Sequence, residues 1–600
     1  FEFEAHRSIQ YTKHFEVAGN LIEQREIGPQ SAQLDQRGIV FDLKSSPPPA
    51  SISDQSTTQQ ERLQILENIL PQDDVFSFLS RHILLVPLEH FSPLHFLALK
   101  KGVGGALLIV PDEENENTTS SWQYYEQRLL DEKFDQCVIY FAKASHKLEA
   151  TYRQLQSSSA SSFDVYAFIS DQIEKNNADD TQPQRASLLS KLNPFRDDFQ
   201  ISLSRRYAEP KPVEAGLFQN IQGSVIGLTS SGLSSSSSSI LDNKLPIILV
   251  HSYYDAFSIA PSLPGGSIDN GSGMAALLEL SRAFSSLYAK PENQGQYNVL
   301  FLATGAGRLN FLGIKAWLSA IDVRILDRIE FALCLDSLLQ RTTASPGFYM
   351  HVSRSAKDAR LAKLYDTFRY TAKQMKISPF DIVKQKINIS HSEVYWAHEQ
   401  FARKRVPGAT FSALPQSVSP LHRSDLYDRN TQLSHTQLEM LTRNIRFIAE
   451  SLARFIFHLE SDVRVFDKDN QLDTNAIQFW FETVARQARV APFIAAQQNA
   501  TLTNALNSAF SAYLSDVSTH EFLSSDDLTT STASEESITF YTPTKVMMKA
   551  YNVKPFTFEI VITISVFTYL FALYVMLIGP QNALSNLKSL FEKEKSSTIN

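Results

Sequence analysis

The chain has 600 residues, enough for two or more hydrophobic cores and too many for one. With 43% hydrophobic and 20% charged residues it has the composition of a folded protein. The formal net charge of -8, without a basic stripe, gives no reason to expect bound nucleic acid. Two cysteines exclude a disulfide-rich scaffold, and Cys334, inside an apolar run, is predicted to be a small buried residue.

Residues 1–198 are predicted to form an N-terminal α/β region, with apolar strands near 82–87, 106–111 and 137–141. This region contains no recognisable catalytic constellation. The chain starts at Phe1, which indicates a mature form whose signal peptide has been removed. If the chain enters the secretory pathway, its candidate glycosylation sites are Asn117, Asn388 and Asn499; a fourth sequon, Asn270, falls inside the motif described below.

Residues 199–459 are predicted to form a second α/β domain. Its strands alternate with helices, which favours a mixed, largely parallel sheet covered on both faces. The expected strands are 200–203, 247–250, 298–304, 331–335 and 409–412, and the expected helices begin near 270, 359 and 437.

The C-terminal part is predicted to contain a helical juxtamembrane region, 460–554, then a transmembrane helix within 555–580 and a short cytosolic tail, 581–600. The uncharged apolar run 560–578 would span roughly 28 Å as a helix, close to the thickness of the hydrocarbon core. Lysines flank it equally on both sides, so charge bias does not set its orientation. Removal of a signal peptide would place the large domains in the lumen.

The stretch 245–282 carries the clearest signal for a site. An apolar strand, 247–250, leads into a loop rich in serine, proline and glycine. The sequence Asp269-Asn270-Gly271-Ser272-Gly273 then opens a helix. In open α/β sheets, ligands bind beyond the carboxyl ends of strands, so we expect a site here.

This stretch resembles the metal-binding core of the di-zinc aminopeptidase and carboxypeptidase family. That family has His-x-Asp at the end of a strand and Asp-Asn-x-Ser-Gly at the start of a helix; this chain has Tyr253-Tyr254-Asp255 and the Asp269 motif. The resemblance implies a zinc-aminopeptidase type of fold. It also implies five metal ligands and a glutamate base in an active member.

Two departures predict that the catalytic machinery is lost. Tyr253 stands where the first histidine ligand should be, and His251 lies two residues further back. Alignment on Gly313 puts Gly307 and Arg308 where the family has its catalytic Glu-Glu pair. Glycine cannot act as a base, and arginine stays protonated and repels a metal.

Other positions keep the family pattern. The resemblance equates Asp269 with the bridging carboxylate, although Asp269 and Asn270 could simply cap the helix. It equates Asp336 with the remaining carboxylate ligand and His422 with the last histidine, and it places His398 near the substrate pocket. Each histidine is also compatible with a purely structural role.

We therefore hypothesise that the Arg308 guanidinium replaces the zinc charge by pairing with Asp269 or Asp336. At about 4 Å and an effective dielectric constant near 20, such a pair is worth roughly 4 kcal/mol before desolvation. No metal, other cofactor or catalytic residue is expected in this vestigial cleft.

A wider resemblance covers most of the chain. The beginning FEFEAHRSIQYTKHF, the segments LFLATGAGRLNFLG and YWAHEQFARKRVPGATFSAL, and the helix LTRNIRFIAESLARFIFHL resemble the nicastrin/nicalin family of peptidase-like proteins. That resemblance implies a non-catalytic, single-pass type I scaffold subunit of the endoplasmic reticulum membrane. It also implies partners: nodal modulator, transmembrane protein 147, and the ribosome-bound Sec translocon during insertion of multi-pass membrane proteins.

Two alternatives from other classes stay open. The chain could be an active zinc aminopeptidase that uses His251, Asp269, Asp336 and His422 with an unconventional base. It could instead be a nicastrin-like receptor whose vestigial cleft binds the amino end of a peptide.

Overall fold

In the computed structural model, the structure describes the following residues: 2–7, 11–17, 20–27, 37–44, 82–101, 103–111, 116–131, 134, 137–157, 162–164, 198–203, 213, 217–228, 239–260, 263, 265–340, 347–354, 358–387, 393–418, 423, 426–459, 463–466, 472–491, 494, 500–523, 534–541, 545–553 and 556–579. The predicted site residue His422, the sequons Asn388 and Asn499 and the predicted tail 581–600 lie outside these ranges.

The described strands are β1 Glu2–Arg7, β2 Tyr11–Val17, β3 Asn20–Ile27, β4 Arg37–Lys44, β5 His82–Pro87, β6 Gly105–Val110, β7 Val138–Lys143, β8 Ser162–Asp164, β9 Asp198–Leu203, β10 Leu217–Val225, β11 Ile247–Tyr253, β12 Asn298–Thr304, β13 Ile329–Leu335, β14 Phe348–Val352, β15 Phe380–Lys384, β16 Gly408–Ser412, β17 Ser515–Leu523, β18 Ser534–Phe540 and β19 Lys545–Val553. The described α-helices are Pro93–Lys101, Glu116–Asp131, His146–Ser157, Ser272–Tyr288, Leu312–Ala320, Val323–Leu326, Ala359–Gln374, Ala397–Arg403, His435–Phe457, Thr474–Ala485, Ala500–Tyr513 and Phe556–Ile578.

The N-terminal region is built on a sheet with the order β5-β6-β7-β1-β19-β9-β4-β8, and an additional pairing joins β5 to β4. The predicted strands β5, β6 and β7 are confirmed, and they run parallel to one another. Every residue of β6 is buried, as expected for a parallel strand covered on both faces. The predicted domain boundary at 198/199 falls inside β9, which belongs to this sheet.

The second sheet has the order β15-β14-β16-β13-β11-β12-β10-β17, and β2, β3 and β18 form a small third sheet. Strands β12, β11, β13 and β16 are parallel neighbours, and β14 is parallel to β15. The pairs β10–β12, β10–β17 and β14–β16 are antiparallel. The prediction of a mixed, largely parallel sheet is therefore confirmed.

Alternate residues of β11 explain why this sheet is covered on both faces. Ile248 and Val250 share a core with helices Ser272–Tyr288 and His435–Phe457. Ile247 and Leu249 point the opposite way, into a second core with helix Leu312–Ala320. Cys334 lies in that second core, buried as predicted, and is not part of a disulfide bond.

The helical prediction for 460–554 is correct only for its first part. Helices Thr474–Ala485 and Ala500–Tyr513 are present, but the segment 515–553 forms β17, β18 and β19. In β19, exposed Met547 precedes buried Met548, an alternation typical of a strand. The prediction failed because the partners of these strands lie hundreds of residues away, where local periodicity gives no signal.

The chain carries a candidate membrane span near its C-terminus. Within helix Phe556–Ile578, the window Ile560–Leu577 has a mean hydropathy of 2.3 and none of it is buried in the protein. No other helix in the described ranges is long and apolar enough to cross a membrane. Large apolar side chains project on all sides of this helix, as expected of a span in contact with lipid.

A buried carboxylate joins the N-terminal region to the second domain. Glu126, on helix Glu116–Asp131, is fully buried and accepts hydrogen bonds from the Trp122 indole Nε1 (3.0 Å) and the Leu426 backbone nitrogen (3.1 Å). Arg429 also donates to the carbonyl oxygen of Pro111 across the same boundary. The two regions therefore share hydrogen bonds as well as a continuous hydrophobic core.

We predict that Glu126→Ala destabilises the protein by about 2–3 kcal/mol, because two buried N–H groups lose a charged acceptor. The matched control is Glu149→Ala, which removes only an exposed ion pair with Arg153. Denaturant unfolding of the purified chain in detergent measures both variants. Equal stability of the two would contradict a joining role for Glu126.

Candidate functional site

The predicted site residues converge at the carboxyl edge of the second sheet. Tyr253 ends β11, the loop with Gly307 and Arg308 follows β12, and Asp336 follows β13. These strands are parallel neighbours, so their ends lie side by side. Asp269 enters from a single π-helical turn, Ser267–Gly271, that opens helix Ser272–Tyr288.

That turn is capped by a residue from a distant part of the chain. The Asp428 carboxylate accepts the backbone N–H of Ile268 (2.8 Å) and of Asp269 (3.0 Å). The side-chain nitrogen of Asn270 instead donates to the carbonyl oxygens of Tyr253 (3.1 Å) and Asp255. The alternative that Asp269 or Asn270 caps the helix is therefore wrong, and Asp269 is left available for another partner.

Asp269 pairs with Arg308, as hypothesised from the sequence. The Arg308 guanidinium forms an ion pair with the Asp269 carboxylate, and only 1% of the Arg308 side chain is exposed. The Ser337 hydroxyl donates to the same carboxylate. The guanidinium carbon lies 5.5 Å from the centre of the Tyr253 ring, which adds a cation–π contact.

Asp336 has a different arginine, which sequence reasoning missed. Arg423 donates to one Asp336 oxygen, and the Tyr253 hydroxyl donates to the other at 2.9 Å. Burial raises the pKa of Asp336, but Arg423, Arg308 and these hydrogen bonds more than offset it, and the pKa lies below its ordinary value. Both carboxylates retained from the family pattern are thus neutralised by guanidinium groups.

Arg423 is held in place by its own surroundings. Its guanidinium carbon lies 4.3 Å from the centre of the Trp396 ring, and Nη2 donates to the Tyr395 carbonyl oxygen at 2.7 Å. In the sequence, Arg423 directly follows His422, which was predicted to match the last metal-binding histidine of the family. The only signal for Arg423 in the sequence was that its guanidinium, a planar hydrogen-bond donor, stands next to His422, an expected metal ligand.

The ring of Tyr253 determines which residue fits at position 307, a relation that the sequence did not reveal. A Cβ atom at Gly307 would lie 2.3 Å from Cγ of Tyr253, so the tyrosine ring leaves room only for glycine. The Asp255 carboxylate accepts the backbone N–H of Gly307 (2.6 Å) and of Arg308 (3.0 Å). Burial raises the pKa of Asp255 although these hydrogen bonds oppose the shift.

A third buried arginine, Arg489, comes from the region that was predicted to be juxtamembrane. Its Nη1 donates to the Tyr254 carbonyl oxygen (2.9 Å) and to Asn270 Oδ1 (3.0 Å). Its Nη2 donates to the carbonyl oxygens of Gly265 (3.2 Å) and Gly266 (2.8 Å). Burial lowers the pKa of Arg489 to about 10, so it remains a cation at neutral pH.

His251, from the enzyme alternative, and His398, predicted to lie near the substrate pocket, are both buried in the core. His251 Nε2 lies 2.9 Å from the Thr304 hydroxyl, and His398 Nδ1 lies 2.9 Å from the Thr410 hydroxyl. Burial lowers the pKa of each to about 3. Both imidazoles are therefore neutral side chains that hydrogen-bond between neighbouring elements.

The residues present do not fit the zinc ions of the peptidase family. Asp269 and Asp336 hold Arg308 and Arg423, and a divalent cation on either carboxylate would face a buried guanidinium. The Tyr253 hydroxyl uses its proton on Asp336, so it is not a free phenolate ligand. What this arrangement can do chemically is hold the ends of three strands together.

We predict that Arg308→Ala and Arg423→Ala each lower the free energy of unfolding by about 3–5 kcal/mol, since each leaves a buried carboxylate without its partner. Arg324→Ala is the control, because Arg324 forms its ion pair with Asp322 at the exposed surface. Denaturant unfolding in detergent is the measurement.

The same experiment separates charge pairing from loss of side-chain volume. Asp269→Asn in the Arg308→Ala background should restore part of the lost stability, because it removes the stranded charge. If the effects of the two substitutions on the free energy of unfolding simply add in the double variant, the ion pair does not stabilise the site.

A pH dependence follows from the buried histidines. The unfolded chain protonates His251 and His398 below about pH 6.5, whereas the folded chain protonates them only near pH 3. The unfolded state therefore binds more protons in this window. The free energy of unfolding should then fall on acidification, by up to about 2.7 kcal/mol per pH unit for the two groups.

Unfolding at pH 7 and pH 5 measures the slope. His398→Gln should reduce it and His435→Gln, on an exposed side chain, should not.

Comparisons with known proteins show the family and the fold of this chain. A family model described as Peptidase family M28 matches residues 237–449. The protein named BOS complex subunit NCLN from Mus musculus is 30% identical over 511 residues, covering 82% of this chain and 81% of that protein. The Caenorhabditis elegans protein named Nicalin is 28% identical over 480 residues, covering 72% and 82% of the two chains.

Among solved structures, the crystal structure of the gamma-secretase component nicastrin shares the fold. It aligns with a TM-score of 0.51 over 91% of this chain and 100% of that chain, at 11% identity. The aminopeptidase-like α/β fold and the resemblance predicted from the sequence are confirmed. The chain belongs to the nicalin family.

Proposed function

We propose that this protein is a non-catalytic, membrane-anchored subunit of a BOS complex in the endoplasmic reticulum membrane. The observation that carries the proposal is the pairing of Asp269 with Arg308 and of Asp336 with Arg423 inside a peptidase-like domain. Relatives that match most of the chain are named as BOS complex subunits. The candidate membrane span supplies the anchor.

The absence of catalysis rests on charge and sterics. Aminopeptidase chemistry needs carboxylates free to hold zinc and a base that accepts a proton from water. Here both carboxylates hold buried guanidinium groups. At 307, the position aligned with a catalytic glutamate, the Tyr253 ring leaves no room for a side chain.

The names of the relatives support membership of a multi-subunit complex, and the individual partners are proposed from the resemblance of the sequence. They are nodal modulator, transmembrane protein 147, and the Sec translocon with its bound ribosome, in a scaffold that assists the biogenesis of multi-pass membrane proteins. We propose that the large domains lie in the lumen and that the span is of type I.

The receptor alternative has less support. Capture of a peptide amine would require an unpaired carboxylate that faces solvent. Asp336 is fully buried under Arg423 and Tyr253, and Asp255 is fully buried under two backbone N–H groups. Asp269, the most exposed of the three, is 12% exposed and paired with Arg308.

We predict that the purified chain contains far less than one zinc ion per molecule and releases no amino acid from aminoacyl substrates. Mass spectrometry of the metal content and an aminopeptidase assay on one sample test this, with an active di-zinc aminopeptidase purified alongside as the control. Stoichiometric zinc together with turnover would restore the enzyme alternative.

Affinity purification from endoplasmic reticulum membranes in mild detergent tests the scaffold proposal. Nodal modulator and transmembrane protein 147 should be recovered with the chain and not with an unrelated single-pass protein. Their absence, combined with saturable binding of a peptide that has a free amine, would favour the receptor.

A further inference from the structure

The segment that leads into the membrane helix contributes one strand to each of the three sheets. Strand β17 pairs with β10 in the second sheet, β18 pairs with β2 in the third, and β19 pairs with β1 and β9 in the first. The described strands of 515–553 therefore take part in all three of the described sheets.

These pairings join the two ends of the chain. Phe3 lies opposite Met548, and Tyr11 lies opposite Phe540. Strand β19 lies between β1 and β9, so it is an internal strand of its sheet and not an addition to an edge. Without β18, the third sheet would be the two-stranded ribbon of β2 and β3, which is marginally stable in water at best.

Side chains of the segment also complete hydrophobic cores. Met548 is 2% exposed and packs in one cluster with Phe3 and residues of β5 to β7. Phe522 and Phe540 both contact the ring of Phe218, with ring centres 5.7 and 5.6 Å apart. Loss of the segment would therefore expose apolar surface in more than one core.

The segment is also next to the membrane helix in the sequence. Two residues separate Val553, the end of β19, from Phe556, the start of the helix. Three residue steps span at most about 11 Å. Strand β19, the last of the three, thus becomes available only when synthesis has reached the membrane helix.

We infer that residues 515–553 donate strands within the same chain, so that the three described sheets are completed only when synthesis has reached the membrane helix. Until then, the future partners of these strands have open edges, which are prone to mispairing. After completion, backbone hydrogen bonds hold the folded part to its anchor, in addition to the covalent chain. The inference rests on the candidate membrane span and not on the other parts of the proposed function.

A cleavage experiment on the folded full-length chain tests this. One form carries a specific protease site within 524–533, between β17 and β18; the matched form carries it at 554–555, between β19 and the helix. After cleavage in detergent, the first form should elute as one particle, because β18 and β19 remain paired. The second should separate into the extramembrane part and the helix.

Separation of the first form without denaturant would overturn the inference, since the strands would then not hold the two pieces together. Co-elution of both forms would also overturn it, because the attachment would then lie in the helix itself.

A substitution pair tests the requirement for β19 in folding. Met548→Pro removes a backbone N–H from a strand that is paired on both sides, whereas Met548→Leu keeps the hydrogen bonds and nearly the same volume. Proteolysis should cut the proline variant within β1 to β4, more than 500 residues away, and spare the leucine variant. Resistance of the proline variant equal to that of the unchanged chain would contradict the inference.

Discussion

The pairing of buried carboxylates with buried guanidinium groups is the interaction on which the second domain depends. The ends of parallel strands concentrate acidic side chains at one edge of the sheet, and those charges require compensation in a low dielectric. Arg308 and Arg423 provide it for Asp269 and Asp336. Guanidinium suits this role better than ammonium because its planar donors satisfy several acceptors at once. Arg423, for example, contacts Asp336, the Trp396 ring and two backbone carbonyl oxygens.

Neighbouring features are organised around these pairs. Asp428 takes over the capping of the helix start, so Asp269 is available to Arg308. Tyr253 donates to Asp336 and packs over Gly307. The backbone N–H groups of Gly307 and Arg308 donate hydrogen bonds to the Asp255 carboxylate. Arg489 ties the loop before the helix to a segment far along the chain. The domain thus has a peptidase-like fold whose carboxyl edge is occupied by paired side-chain charges.

Sequence reasoning identified what is local and periodic. The strands β5 to β7 and β11 to β13, the helix after Asp269 and the apolar span all have strong runs of apolar residues, and each is present. The pairing of Asp269 with Arg308 was predicted from the spacing of the motifs and from their opposite charges. Arg423, Asp428 and Arg489 were missed because their roles depend on which distant backbone groups they meet. Strands β17 to β19 were missed for the same reason, since β19 pairs with the first residues of the chain.

The contact between Gly307 and Tyr253 also limits how the domain can change. A glutamate at 307 would collide with the ring at 253 before it could contribute a base, and a histidine at 253 would leave Asp336 without the tyrosine hydroxyl while Arg423 still held its other oxygen. The two positions therefore constrain each other: a larger residue at 307 requires a smaller side chain at 253, and a smaller side chain at 253 removes a hydrogen bond from Asp336.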